Sequence, residues 1–167
     1  MHKILSATLA AGVLAAGVAQ SATTTTTTFA VTATVQATCS AAATPLAFGA
    51  YTPGAGGLTG NSAINVKCTK NTPYTVALNA GTTPGGAFGQ RLMASGVNTL
   101  QYNLYTTAGF ATVFGDGTAT SQTMPGTGAG LATVNTLTVY GQLPDSAANQ
   151  AAVPGNYSDT ITVTVTY

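Results

Sequence analysis

The residues that could carry out acid–base, nucleophilic or metal chemistry are few in this sequence. Its one histidine is His2, and its carboxylates are Asp116, Asp145 and Asp159, with no glutamate. Asp116 lies in a Gly-Asp-Gly run and Asp145 follows a proline, and both positions are typical of turns. A serine or threonine nucleophile needs a neighbouring base, which is commonly a histidine. His2 lies in the predicted signal peptide described below, so its removal would leave no histidine base. The composition argues against an enzyme, and we expect no metal site and no cofactor.

The two cysteines, Cys39 and Cys68, are the other reactive side chains. In a secreted protein, two cysteines most simply form one disulfide. Closing a loop of about 30 residues would stabilise the fold by roughly 3.6 kcal/mol in the chain-entropy model. The alternative is a pair of free, buried thiols, which an oxidising compartment disfavours.

Residues 1–22 have the pattern of a secretory signal peptide. His2 and Lys3 precede an apolar, alanine-rich run from 4 to 18, and small residues follow it. Cleavage after Ser21 places Ala19 at the −3 position, as such cleavage sites prefer, and cleavage after Ala19 or after Ala22 is an alternative. A transmembrane anchor is the alternative, but the apolar run is short for a span, so we expect no stable membrane insertion.

Charge is sparse in the mature chain that this cleavage would leave. Three cationic and three anionic side chains remain, so the net charge is zero. The mature chain therefore lacks a basic patch for nucleic acid and a polybasic surface for membranes. A near-neutral surface instead favours association with other protein surfaces.

Residues 23–38 contain an alternating apolar pattern. Side chains of a strand point to opposite faces with a period of two, so the pattern predicts a strand with one apolar and one threonine-rich face. The apolar face comprises Phe29, Val31, Ala33, Val35 and Ala37. Because this strand stands near the mature N-terminus, it could pair within its own domain or with another molecule.

The remainder, residues 39–167, predicts an all-β domain. Alternating runs separated by glycine-rich turns indicate six or seven strands and no helix, the pattern of an antiparallel β-sandwich. The last predicted strand spans 157–167, and its inward face comprises Tyr157, Ile161, Val163, Val165 and Tyr167. The sequence ends directly after this strand, so we expect its outer edge to need a partner from elsewhere.

Several of these runs together resemble a known family. The first is Phe29-x-Val31 continuing to Cys39, the second is Leu46-x-Phe48-Gly49-x-Tyr51, and the third is Gly155-x-Tyr157-x-Asp159-Thr160. They resemble spore coat protein U domains, which belong with the archaic chaperone–usher pilins. Phe114 departs from the pattern, because a tryptophan is common there in the family.

The resemblance implies an incomplete immunoglobulin-like sandwich that is completed by a donor strand from another subunit. It implies neighbouring pilin subunits, a periplasmic chaperone and an outer-membrane usher as partners, and export through the periplasm to the cell surface. On this interpretation, residues 23–38, which we name the donor segment, offer their apolar face to an acceptor groove lined by the inward residues of the last strand.

Two other functions stay open at this point. A secreted binding module or tip adhesin would recognise sugars or surfaces, but the single domain with a donor segment argues against it. A structural component of a spore or cell coat is the third interpretation. Adhesion or biofilm formation would be the biological outcome of the first.

Overall fold

The structure is a computed structural model that describes Gly17 and residues 19–167. The predicted signal peptide, residues 1–22, lies mostly outside the described residues. The chain divides into two units, residues 1–34 and residues 35–167. In the first unit, the described residues form no strand and are all exposed. No described helix has the length and apolar character needed to cross a membrane.

Eight strands and one short helix make up the second unit. In chain order they are β1 (Cys39–Ala43), β2 (Leu58–Cys68), β3 (Pro73–Leu78), β4 (Arg91–Ser95), β5 (Asn98–Tyr105), β6 (Met124–Thr127), β7 (Asn135–Leu143), α1 (Ala147–Gln150) and β8 (Val163–Thr166).

The strands form two antiparallel sheets. One has the order β1-β2-β7-β5-β4 and the other the order β6-β3-β8. β8 pairs with β3 along one edge, with Thr75 opposite Thr166 and Leu78 opposite Val163. Within the described chain, no strand pairs with the other edge of β8. These sheets confirm the predicted antiparallel β-sandwich.

The core follows from the alternation that the sequence displays. In β2, Ile64, Val66 and Cys68 are buried between the sheets, whereas Lys67 points to solvent. β-Branched and aromatic side chains at alternate positions pack well on such a pleated surface. The buried apolar residues are Ile64, Val66, Cys68, Tyr74, Val76, Leu78, Leu100, Tyr102, Leu104, Phe114, Leu137, Val139 and Leu143.

Four elements, α1, β2, β4 and β6, differ from the sequence-based expectation. The expectation of no helix was wrong, because α1 forms one turn in which the Ser146 hydroxyl accepts a hydrogen bond from the Asn149 amide. β4 and β6 were not predicted, since a buried Arg91 and the Pro125-Gly126 pair obscure their alternation. β2 begins at Leu58, inside a stretch whose glycines predicted a loop.

The predicted last strand is also divided. Ser158 pairs with Ala94 next to the first sheet, and only Val163–Thr166 pairs with β3 in the second. The intervening residues cross between the two sheets. Tyr167, predicted to face inward, is 58% exposed, because the ladder ends at Thr166.

Candidate functional site

The three carboxylates do not converge on a catalytic site. Asp116 closes its own turn by accepting a hydrogen bond from the Thr118 amide at 2.9 Å. Asp145 holds the 51–56 loop through the Tyr51 hydroxyl and two glycine amides. Within the described residues, no group of three His, Cys, Asp or Glu side chains could hold a metal ion.

The contact between Asp145 and Tyr51 shifts the pKa values of both side chains. The hydrogen bond from Tyr51 is the main reason that the pKa of Asp145 lies below its usual value. Desolvation, together with the same bond, raises the pKa of Tyr51 to about 12. Both shifts keep the carboxylate ionised and the phenol neutral at neutral pH, which suits a structural contact and not proton transfer.

The second unit contains an open groove of about 390 Å³. One wall is the stretch that follows β1, residues 43–48, and the other is residues 157–163, which lead into β8. Its floor contains Ile64, Leu78, Leu104 and Val139, which are core residues contributed by both sheets. A groove whose floor is the hydrophobic core has the form of a sandwich that lacks one strand. We name it the acceptor groove.

A second depression of about 610 Å³ continues the acceptor groove toward the loop 152–156. The two share Leu46, Phe48, Met93 and Tyr157 in their linings, so they adjoin, and we name the pair of depressions the trough. All four side chains are half-buried and pack against the core. The trough therefore presents a long apolar strip along one edge of the sandwich.

Two glycines allow the first wall of the groove to pack closely against the β2–β7 ladder. Gly60 and Gly141 lie opposite each other in the β2–β7 ladder. A Cβ atom at Gly141 would lie 2.7 Å from Leu46 Cδ1 and 3.0 Å from Phe48 Cζ. Because neither glycine carries a side chain, Leu46 and Phe48 can occupy the space above them.

The predicted groove residues are brought together in part. Tyr157, Ile161 and Val163 line the acceptor groove. Val165 packs against the core but is not in the lining, and Tyr167 is exposed. Sequence reasoning did not assign Leu46, Phe48 and Met93 to the groove, although the shared face of Leu46 and Phe48 was visible as an alternation.

The donor segment forms no strand in the described chain. Its apolar side chains are all exposed, with Phe29, Val31 and Val35 at 86%, 84% and 86%. The first strand begins at Cys39 instead of Phe29. A lone strand leaves its backbone amides and carbonyls without partners, so strand formation in this segment requires a ladder from another strand. Its role as a donor stays a prediction.

The predicted disulfide is present. Cys39 and Cys68 are bonded, and they lie directly opposite each other in the β1–β2 ladder. The ladder is extended by one residue, because the Thr69 amide donates to the Thr38 carbonyl at 3.0 Å. The covalent bond thus fixes the point at which the donor segment joins the second unit.

Comparison with known proteins agrees with this architecture. The chain matches the family model of the Spore Coat Protein U domain over residues 25–164. It is similar, at 25% identity and a TM-score of 0.52, to a chain in the crystal structure of the CsuC–CsuE chaperone–tip adhesion subunit pre-assembly complex from archaic chaperone–usher Csu pili of Acinetobacter baumannii. That similarity covers 80% of this chain and 41% of the other, so the chain spans less than half of its neighbour's length. None of the curated proteins matches the chain. Since the family match covers most of the sequence, the chain belongs to the Spore Coat Protein U domain family.

Proposed function

We propose that this protein is a structural subunit of a surface pilus or fimbria, assembled through the chaperone–usher pathway by donor-strand exchange. The observation that carries the proposal is the acceptor groove, which opens onto the core beside the unpaired edge of β8. Support also comes from the family and from a structural neighbour that belongs to a chaperone–subunit complex of archaic chaperone–usher pili. Adhesion or biofilm formation is the role that such a fibre would serve.

The donor segment has the dimensions and polarity that the groove requires. Alternate residues of a strand are about 6.6–6.8 Å apart on one face, so Phe29 to Ala37 spans about 27 Å. Residues 157–165, which comprise the second wall (157–163) and continue into β8, contain the same number of positions. Burying Phe29, Val31 and Val35 of a neighbouring subunit would contribute about 1.5–3 kcal/mol each, in addition to new ladder hydrogen bonds.

The register of the strands indicates the direction of insertion. Cys39 lies opposite Cys68, the turn at 69–72 leads into β3, and Thr75 lies opposite Thr166. The donor segment therefore joins the sandwich at the same end at which β8 finishes. If a neighbour's donor ran antiparallel to β8, its body would emerge at the opposite end of the groove, near Tyr157. Repeating that head-to-tail contact gives an open filament.

An unfilled groove explains the need for the other partners. Exposed apolar surface beside an unpaired strand edge is prone to wrong association. A periplasmic chaperone would cover the groove during transit, and an outer-membrane usher would exchange it for the donor segment of another subunit. We propose further that the finished fibre lies on the cell surface and that the role of the protein is structural.

The assembly proposal is tested by placing a charge on each face of the donor segment. Val31→Asp or Val35→Asp should abolish fibres, because a carboxylate would have to be buried in the apolar groove. The matched control, Thr34→Asp, places the same charge on the opposite face and should leave fibres intact. Electron microscopy of surface filaments and boiling-sensitive ladders on denaturing gels provide the measurements. Normal fibres from both valine variants would refute the assigned donor face.

A tip adhesin is the second candidate, because the structural neighbour's complex contains a tip adhesion subunit. A subunit at the tip accepts a donor strand but has no subunit beyond it to receive its own. The double variant Val31→Asp/Val35→Asp would then leave fibre length unchanged and fibre-dependent adhesion intact. Loss of fibres in the same variant instead favours a shaft subunit.

A further inference from the structure

The second wall of the acceptor groove is anchored differently from an ordinary strand. Ser158 exchanges two backbone hydrogen bonds with Ala94, at 2.9 and 3.0 Å. Thr162 is held by Asn79, whose amide donates to the Thr162 carbonyl at 3.1 Å and whose side-chain oxygen accepts from the Thr162 amide at 2.9 Å. Between these two anchors, residues 159–161 make no backbone–backbone hydrogen bond within the described chain. The backbone carbonyls of these residues and the amides of Asp159 and Ile161 are therefore available to an incoming strand, whereas the Thr160 amide donates to the Asp159 carboxylate.

The side chain of Asp159 attaches residues 159–161 to the rest of the domain through hydrogen bonds. Its Oδ2 accepts a hydrogen bond from the Tyr102 hydroxyl at 2.6 Å. Its Oδ1 accepts from the amides of Thr82 and Thr83 at 2.9 and 3.1 Å, and from both of their hydroxyls. One carboxylate thus connects the groove wall to the loop at 82–83 and to Tyr102.

The neighbouring residues leave space for the Asp159 carboxylate and connect it to the opposite wall of the groove. A Cβ atom on Gly81 would lie 2.0 Å from Asp159 Oδ2, so only glycine leaves room for the side chain there. Gly81 also has a φ of +97°, which glycine adopts without strain. Tyr102 is 5% exposed in β5, and its ring packs edge-on against Phe48 of the opposite wall, with centroids 6.1 Å apart. Asp159 is therefore coupled to both walls of the groove.

The negative charge of Asp159 strengthens the hydrogen bonds that its carboxylate accepts. Burial alone would raise the pKa of Asp159, but hydrogen bonds from Tyr102 and from the amides of Thr82, Thr160 and Thr83 outweigh it and hold the pKa below its usual value. The carboxylate is ionised at neutral pH, and hydrogen bonds to an ionised acceptor are about twice as strong as neutral ones.

We propose that Asp159 is a positioning residue of the acceptor groove, which holds residues 159–161 in line with β8 so that an incoming strand meets a preformed edge. The inference rests on the proposed function, since it assigns a role in strand capture. Without the carboxylate, these residues would have to be ordered during binding. A strand would then be captured more slowly, even where the sandwich itself stays folded.

The test measures capture of a labelled peptide that has the sequence of residues 23–38. The parent protein is the mature full chain carrying Val31→Asp and Val35→Asp, which prevent self-donation. Association rates are compared for the parent, Asp159→Ala and Asp159→Asn. The matched control is Asp116→Asn, which removes another carboxylate whose contacts are local to its turn. Thermal unfolding and near-ultraviolet circular dichroism are recorded for every variant.

We expect Asp159→Ala to slow association about tenfold, since ordering one additional backbone residue costs about this much free energy. Asp159→Asn keeps an oxygen for the two threonine amides and should recover part of the rate. Asp116→Asn should associate at the parent rate. A lower unfolding temperature for Asp159→Ala with an unchanged association rate would overturn the inference, because Asp159 would then serve stability alone.

Two other outcomes are also decisive. If Asp159→Ala fails to fold, Asp159→Asn and Tyr102→Phe replace it, and parental association rates in both would overturn the inference. If the parent itself does not bind the peptide, the proposed donor-strand exchange fails, and the role of Asp159 fails with it. Parental binding with no effect at Asp159 instead refutes only the positioning role.

Discussion

Removal of the Cys39–Cys68 disulfide tests how firmly β1 is attached to the sandwich. The two cysteines are separated by 29 positions in the sequence. In the chain-entropy model, a loop of this size gives a loss of about 3.6 kcal/mol in the free energy of unfolding when the bond is absent. Cys39→Ala/Cys68→Ala should approach that loss, which is a large share of the 5–15 kcal/mol typical of a domain.

The loss of stability should be greatest in β1 and in the residues that follow it. Among the described strands, β1 lies at a sheet edge and pairs with β2 alone, and residues 43–48 continue from it into the groove wall. Without the covalent bond, we expect hydrogen exchange to accelerate first in residues 39–48, while β5 and β7 keep their protection.

The assay is urea unfolding of the mature chain with and without reductant. The wild-type protein should lose stability when reduced, and the double variant should be insensitive to reductant. The slope of the free energy with urea should rise without the bond, because the unfolded chain exposes more surface. A change below about 1 kcal/mol, or uniform acceleration of exchange, would refute the attribution to this cross-link.

Two further predictions concern the groove. Gly141→Ala should destabilise the fold by about 1–3 kcal/mol through overpacking, because the added methyl group meets Leu46 and Phe48; Gly109→Ala, where the space is open, is the control for thermal unfolding. The lowered pKa of Asp159 should stabilise the fold above its ordinary value of 3.8, and this contribution should be lost as the pH falls through the lower folded-state value. Unfolding midpoints measured between pH 7 and pH 2 should therefore decline less steeply for Asp159→Asn than for the wild-type protein, and parallel curves would contradict this linkage.

The sequence predicts the sandwich because its strands obey a period of two. β2, β3, β5 and β7 each carry the alternation expected of a sheet with one buried face. β4 escapes this reasoning, because it begins at a fully buried arginine. Arg91 is satisfied by the carbonyls of Asn79 and Phe114 and by the side-chain oxygen of Asn103. No local pattern reveals that such partners will meet a cation inside the fold.

The groove could be predicted only in part for a similar reason. The alternation from 157 to 167 identifies the face of the last strand that turns inward, but not the point at which the chain crosses between sheets. That point is set by Asp159 and Asn79, whose partners lie about 80 residues away. Met93 lines the groove through the packing of β4, which leaves no signal in its own neighbourhood.

The position of the disulfide also determines how tension would pass through a fibre of the proposed kind. A pull on the donor segment reaches the sandwich at Cys39, and the bond to Cys68 transmits it to β2, which is paired on both sides. Without that bond, the same pull would act along β1 and strip its five paired residues from β2. The movement would continue into residues 43–48, which line the groove that holds the neighbouring subunit's strand. The disulfide therefore keeps a pull on the donor segment from reaching the groove that holds the neighbouring subunit's strand. It does so although β1 joins the donor segment directly to the groove wall.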